Sequence, residues 1–255
     1  MLRVHNLHKQ FGGIQAVKGC DFHVESGSIT ALIGPNGAGK TTVFNIISGF
    51  IKLDTGSIFF DGSDITDLKP YQIAQGGIGR TFQIIRLLPK MSVLENILIA
   101  MPDQNETLSH AILRSKAWKV AESRNVEKAL ELLKFVNLEV KAEEQARHLS
   151  YGQQKLLEIA KALASDPVLI MLDEPAAGVN LTMLKKIGEL MLELKKDGKT
   201  ILFIEHNMDF VMKIADRVVV MDHGEEIAAG MPREIRRNKK VIDAYLGTTD
   251  LKEQI

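Results

Sequence analysis

The chain has 255 residues, 45% of them apolar, which is enough for one sizeable buried core with room for a subdomain. Lys plus Arg and Asp plus Glu both number 32, so the formal charge is zero and neither a broad nucleic-acid surface nor an anionic-membrane patch is indicated. The single cysteine, Cys20, excludes an internal disulfide, the start "MLRVHNLHKQF" lacks a signal peptide's apolar segment, and no apolar run approaches the ~20 residues that span a bilayer.

From Leu2 to about Phe60, short β-rich runs such as "SITALIG" and "SIFFDG" alternate with turns and predict mixed sheet, with one helical stretch after Lys40. Phe11 in "KQFGG" suits either the core or stacking on an adenine ring, and the sequence alone leans to the core. "GPNGAGKT", Gly34 to Thr41, matches G-x-x-x-x-G-K-[ST] directly after the strand-like "ITALI". Gly34, Gly37 and Gly39 let the loop's N–H groups face a phosphate chain, Lys40 can reach the β- and γ-phosphates, and the Thr41 hydroxyl can ligate Mg²⁺. Gln83 in "GRTFQ" is a polar loop residue after a short strand, or a residue at Mg²⁺ or the attacking water. From about Met91 to Val136 the pattern turns helical, with Val126, Ala129, Leu130, Leu133 and Val136 on one stripe and Glu127, Lys128, Glu131 and Lys134 between them, so a helical subdomain is expected.

In "LSYGQQ", residues 149–154, Ser150 and Gln153 form a capping-box pattern. Gly152 in the first turn costs roughly 1 kcal/mol relative to alanine unless a group must approach the backbone closely, so this helix start is also a candidate anion site. From Val168 onward, "VLIML", "TILFI" and "RVVVM" alternate with helical segments and predict a largely parallel sheet buried on both faces. "LIMLDEP" leaves Asp173 and Glu174 at the carboxyl end of a strand, where α/β sheets place their ligands. Asp173 would hold Mg²⁺ through water, and Glu174 would act as general base. His206 in "FIEHN" ends another apolar run and is either a solvated surface residue or a neighbour of the γ-phosphate. The final "GTTDLKEQI" reads as frayed, and no repeat, low-complexity tract or Pro/Ser-rich linker divides the chain.

The order of these motifs resembles the ATP-binding subunits of ABC transporters over most of the chain. Phe11 falls at the adenine-stacking aromatic, Gly34 to Thr41 at the Walker A loop, Gln83 at the Q-loop and Leu149 to Gln153 at the signature sequence. Asp173 and Glu174 match Walker B, Ala177 to Asn180 the D-loop, and His206 the switch histidine. The resemblance implies one α/β domain, a P-loop NTPase (RecA-like) core with an N-terminal antiparallel β region and an inserted α-helical subdomain. Residues 1–83 and 168–255 would form the core, and about 84–167 the helical piece. It implies an ATPase using ATP and Mg²⁺, with Gly34, Pro35, Asn36, Gly37, Ala38, Gly39, Lys40, Thr41 and Thr42 around the nucleotide. Thr41, Gln83 and Asp173 would serve the metal, and Glu174, His206 and Gln83 the catalysis. In this family two domains meet head to tail, so Ser150, Gly152 and Gln153 would cap ATP held by a partner. Tyr151 departs from the family's usual glycine, Asn180 from the D-loop aspartate, and Leu181 from the proline that often follows.

"FGGIQAVKG", "GIGRTFQ", "LSYGQQ", "EPAAGVN" and "VIDAYLG" further resemble the branched-chain amino acid uptake ATPases, which import Leu, Ile and Val with high affinity. That resemblance implies a second ATPase subunit, identical or a sister chain, integral membrane permease subunits and an extracytoplasmic substrate-binding protein. The chain would then sit peripherally on the cytoplasmic face of the inner membrane, with no nucleic acid involved. The segment from Gln83 to about Glu95, with Ile84 and Leu87, is the expected permease contact, its alternative being subdomain core. Two rival readings stay open: the ATPase of a lipid or lipopolysaccharide exporter, and a soluble ABC-type ATPase such as one in iron–sulfur assembly. The long coiled coils of DNA-repair relatives and the doubled ATPase domain of translation relatives are not seen.

Overall fold

Two long strands, β1 (Leu2–Phe11) and β2 (Ile14–Val24), open the chain as an antiparallel hairpin. The computed structural model describes residues 1–102 and 116–246, so the tail predicted to fray and part of the predicted helical run lie outside the described residues. β3 (Ile29–Ile33), α1 (Lys40–Ile47), β4 (Thr55–Phe60), β5 (Ser63–Asp64), α2 (Pro70–Gln75) and β6 (Ile78–Arg80) follow. Then come α3 (Val93–Leu98), α4 (Lys116–Phe135) and α5 (Tyr151–Leu163). The remainder is β7 (Leu169–Asp173), α6 (Leu181–Lys196), β8 (Thr200–Ile204), α7 (Met208–Ile214), β9 (Arg217–Asp222), β10 (Glu225–Gly230), α8 (Pro232–Ile235) and α9 (Lys239–Leu246).

The strands form a four-stranded antiparallel sheet, β2-β1-β4-β5, and a six-stranded sheet, β10-β9-β3-β8-β7-β6, whose pairings are parallel except β9 with β10. β3, β7 and β8 are buried at every position, as unbroken apolar runs demand. Their side chains alternate between two cores. Ile170 and Leu172 pack with helix residues such as Leu133, Leu157 and Leu190, while Leu169 and Met171 pack with Phe44 and Ile47 of α1 and with Leu7 and Ile58 of the antiparallel sheet. A strand that slid by one residue would exchange the two sets, so register is strongly specified. The carboxyl ends of β3, β6, β7 and β8 therefore lie fixed along one edge, and the phosphate-loop sequence, Gln83, Asp173 and His206 all sit at or just beyond those ends.

On α4 the apolar stripe is narrower than the sequence pattern suggests. Ala129, Leu133 and the adjoining Val136 are fully buried, but Leu130 is 40% exposed. The buried residues step by four and three and mark the centre of the face, leaving Leu130 at its margin.

Candidate functional site

The loop between β3 and α1 has the backbone its glycines predict. Gly34, Gly37 and Gly39 all have positive φ, and a Cβ on Gly34 would lie 2.0 Å from Met221 O, one on Gly39 2.4 Å from Ala16 O. No other residue type fits these two positions. Asn36, Gly37 and Thr41 are exposed, Pro35 and Ala38 are buried, and Thr42 is half-buried. Lys40, the residue expected to reach the β- and γ-phosphates, begins α1. It is buried, and its Nζ donates to Gly34 O at 2.7 Å and Pro35 O at 2.8 Å, folding the side chain back over its own loop. Burial pushes its ammonium down to about 8, against the opposing pull of Glu174 and Asp173.

At the adjoining strand ends, three residues singled out from sequence meet on one carboxylate. His206 Nε2 is 2.8 Å from Glu174 Oε1, and Gln83 Nε2 donates to Glu174 Oε2 at 3.1 Å. An ionised carboxylate only accepts, so Nε2 is the protonated ring nitrogen in that contact. Gln83 is thus directed at Glu174 rather than at Asp173. Asp173 is 2% exposed; its Oδ2 accepts from Arg80 Nη2 at 3.3 Å, and its Oδ1 is buried with no hydrogen-bond partner. Burial raises the Asp173 pKa, and Arg80 pulls it back.

Phe11, leaning to the core in sequence, is 45% exposed, with Lys9 Nζ 5.3 Å from its ring centroid. The last residues of β1 run out of the core toward the hairpin tip, so no layer covers the ring. The exposed part of the ring is available for stacking.

The "LSYGQQ" stretch forms the capping box. Gln153 N donates to Ser150 Oγ at 3.4 Å and Ser150 N donates to Gln153 Oε1 at 3.0 Å, at the start of α5. Gly152 also has a packing reason to lack a side chain, since a Cβ there would lie 2.9 Å from Met183 Cε. Tyr151 lies against Gly178 in the same way: a Cβ on Gly178 would be 3.1 Å from its ring. Helix α5 is thereby seated on the loop that leads into α6 of its own chain. Asn180 caps α6, its side chain accepting from Met183 N at 2.9 Å, which is the task an aspartate would perform there. Leu181 occupies the first helical position, where proline is tolerated for lack of a needed N–H.

Four contributors were not legible in the sequence. Arg80 holds Asp173. Lys155 Nζ donates to Glu174 O at 3.3 Å, and its ammonium stands 5.8 Å from the Tyr151 ring centroid. Glu205 accepts from Ala176 N at 2.8 Å and His206 N at 3.1 Å, pinning both flanking loops. Tyr245, in the "VIDAYLG" stretch, reaches the backbone of Gly34. Only proximity to a motif could have flagged Arg80, Lys155 and Glu205, since each bond crosses between elements.

A largely parallel sheet with a glycine-shaped phosphate loop and a carboxylate cluster at its carboxyl edge defines a P-loop nucleotide-hydrolysing protein. The ABC transporter family profile matches residues 17–177, and that of the branched-chain amino acid ATP-binding cassette transporters matches residues 225–250. The chain belongs to the ABC transporter family and is an ATPase of its ATP-binding cassette type. It is 45% identical to the probable branched-chain amino acid transport ATP-binding protein LivG of Archaeoglobus fulgidus, over 98% of this chain and 96% of that protein. Identity to the high-affinity branched-chain amino acid transport ATP-binding protein LivG of Escherichia coli K12 is 43%, over 97% and 98%. The ADP conformation of the ATP-binding cassette MJ1267 superposes with a TM-score of 0.85 at 39% identity, covering 97% of this chain and 98% of that one. A dimeric post-hydrolysis cassette, MJ0796 with ADP and phosphate, gives 0.77 at 28% identity, covering 91% and 99%.

Proposed function

We propose that this chain is the ATP-hydrolysing subunit of an importer for branched-chain amino acids, working as a nucleotide-closed dimer beneath membrane permease subunits. The convergence of Gln83, Glu174 and His206 beside the phosphate loop carries the chemical part of this reading. The two LivG relatives and the family match at residues 225–250 support the substrate class.

The loop from Gly34 to Gly39 and the first turn of α1 would receive the phosphates, Lys40 leaving its own carbonyls for phosphate oxygens and Phe11 taking the adenine face. The residues fit Mg²⁺. Among the described residues no group of three or more His, Cys, Asp or Glu side chains is placed to hold a metal, but Mg²⁺ is usually bound by one or two carboxylates together with substrate phosphates. Asp173 Oδ1, buried and unpartnered, and the exposed Thr41 hydroxyl offer that minimal set, with Gln83 as a further ligand. Bound there, Mg²⁺ would offset negative charge developing on the phosphate oxygens. Each Glu174 oxygen accepts one hydrogen bond and keeps a second lone pair, so the carboxylate can still take a proton from water. As the water oxygen forms its bond to the γ-phosphorus, the bond from that phosphorus to the bridging oxygen breaks, releasing ADP and phosphate.

Ser150, Gly152 and Gln153 would act on the nucleotide of a partner chain, as the dimeric state of the related cassette supports. Closure would be transmitted to the permease through the segment after Gln83. Ile84 is 79% exposed there, which leaves it free for such a contact, whereas Leu87 packs against the core. A cavity of about 310 Å³ beside it is lined by Phe82, Arg86, Glu158 and Lys161. The helical subdomain, about 84–167, would move with that segment against the core of 1–83 and 168–255. No helix among the described residues is long and apolar enough to cross a membrane, so attachment to the cytoplasmic face would run through the permease.

Uptake of labelled leucine in cells lacking the gene, with the wild-type or the Glu174→Gln chain restored, tests the function. Wild type should restore uptake and the variant should not; normal uptake in the deletion cells would refute the reading.

A further inference from the structure

The metal ligands read from the sequence come from three separate elements: Thr41 lies in the first turn of α1, Gln83 follows β6, and Asp173 ends β7. One side chain without an assigned role ties the three together. Arg80, the last residue of β6, is 6% exposed at its side chain. Its Nη1 donates to Phe44 O at 2.9 Å and to Ser48 Oγ, and its Nη2 donates to Asn45 Oδ1 at 2.8 Å and to Asp173 Oδ2 at 3.3 Å. Phe44, Asn45 and Ser48 belong to α1 and its C-terminal cap. The rings of Phe82, Phe44 and Phe50 have their centroids 4.9, 5.6 and 5.8 Å from the guanidinium carbon, so the group is confined by aromatic rings as well as by its bonds. The clamp engages Oδ2 of Asp173 and leaves Oδ1 buried without a partner. Such an orphan is costly unless something else takes its lone pairs.

We propose that Arg80 is the positioning residue of the metal site. By holding Oδ2 it presents Oδ1 of Asp173 to Mg²⁺, and by binding α1 with the same fork it sets the spacing between Asp173 and Thr41. This rests on the reading that Thr41, Gln83 and Asp173 hold the metal. A lysine has one ammonium in place of a planar fork and cannot serve α1 and β7 together. The plainer alternative is that Arg80 only complements the carbonyl end of α1, which would support the fold without regard to the metal.

The test is Mn²⁺ binding to the full chain with a non-hydrolysable ATP analogue, read by electron paramagnetic resonance, beside analogue affinity in EDTA. Arg80→Gln and Arg80→Lys should weaken Mn²⁺ binding by at least about 10-fold, the lower range for loss of a group that orients a metal ligand, while metal-free analogue affinity is unchanged. In an Asp173→Asn background the Arg80→Gln change should cost nothing further, because both act through one contact. If Asp173→Asn alone leaves Mn²⁺ affinity unaltered, the metal-site reading fails and this inference falls with it. If Asp173→Asn weakens Mn²⁺ but Arg80→Gln does not, or if metal-free analogue affinity drops as far as Mn²⁺ affinity, Arg80 serves the fold alone and the proposal is overturned. Should Arg80→Gln not fold, Asn45→Ala decides: it removes the bond from Nη2 to α1 while Nη2 keeps Asp173 Oδ2, so the spacing set by the fork is loosened, and unchanged Mn²⁺ affinity would overturn the proposal.

Discussion

Glu174 holds its backbone at φ 50°, in the left-handed region that a non-glycine residue adopts when its surroundings require it. They do so here: its N–H donates to Ile204 O at 3.1 Å, and its carbonyl accepts from Lys155 Nζ and, at 3.2 Å, from Ala177 N. His206 and Gln83 then fix the side chain. A carboxylate so constrained suits a base, which must meet one proton in one place. Glu174→Gln keeps the size and the local backbone but cannot take up the proton. It should leave ATP affinity near wild type and slow phosphate release by at least about 10²-fold. Single-turnover hydrolysis measures this, and near-normal turnover would remove Glu174 from the role.

At the scale of elements, the departures at 180 and 181 are conservative in their physics. Asparagine caps α6 as aspartate would, and leucine takes a position that proline fills elsewhere because no N–H is needed. Asn180→Ala should cost about 0.5–2 kcal/mol, lowering Tm by roughly 2–4 °C per kcal/mol in a chain of this size, whereas Asn180→Asp should hold Tm. Thermal melts of the two variants check this directly. Caps, strand ends and the phosphate loop were legible in sequence because each depends on neighbours a few residues away. Arg80 with Asp173, Lys155 with Glu174 and Glu205 with Ala176 were not, because those partners lie 93, 19 and 29 residues apart and meet only when strands and helices stack. Phe11 shows the same limit: an aromatic at a strand end has one local pattern whether or not a layer covers it.

At the scale of the whole molecule, we propose that a second chain completes the catalytic site. Ser150 is exposed at the start of α5, and its capping bonds use only part of its hydrogen-bonding capacity. Capping alone would confine the effect of a change there to its own chain, while a contact across the dimer would make it act on the partner's nucleotide. The two roles separate when Lys40→Ala and Ser150→Arg chains are prepared apart and then mixed. In each homodimer both composite sites carry one lesion. In the mixed dimer both lesions fall in one site, leaving the other intact. The decisive measurement is trapping of labelled nucleotide across mixing ratios, with thermal melts showing that Ser150→Arg folds and sedimentation showing that the chain pairs with itself. Completion of the site by a second chain predicts that two inactive proteins regain trapping on mixing, up to one nucleotide per mixed dimer. No recovery at any ratio, with both controls met, would contradict it.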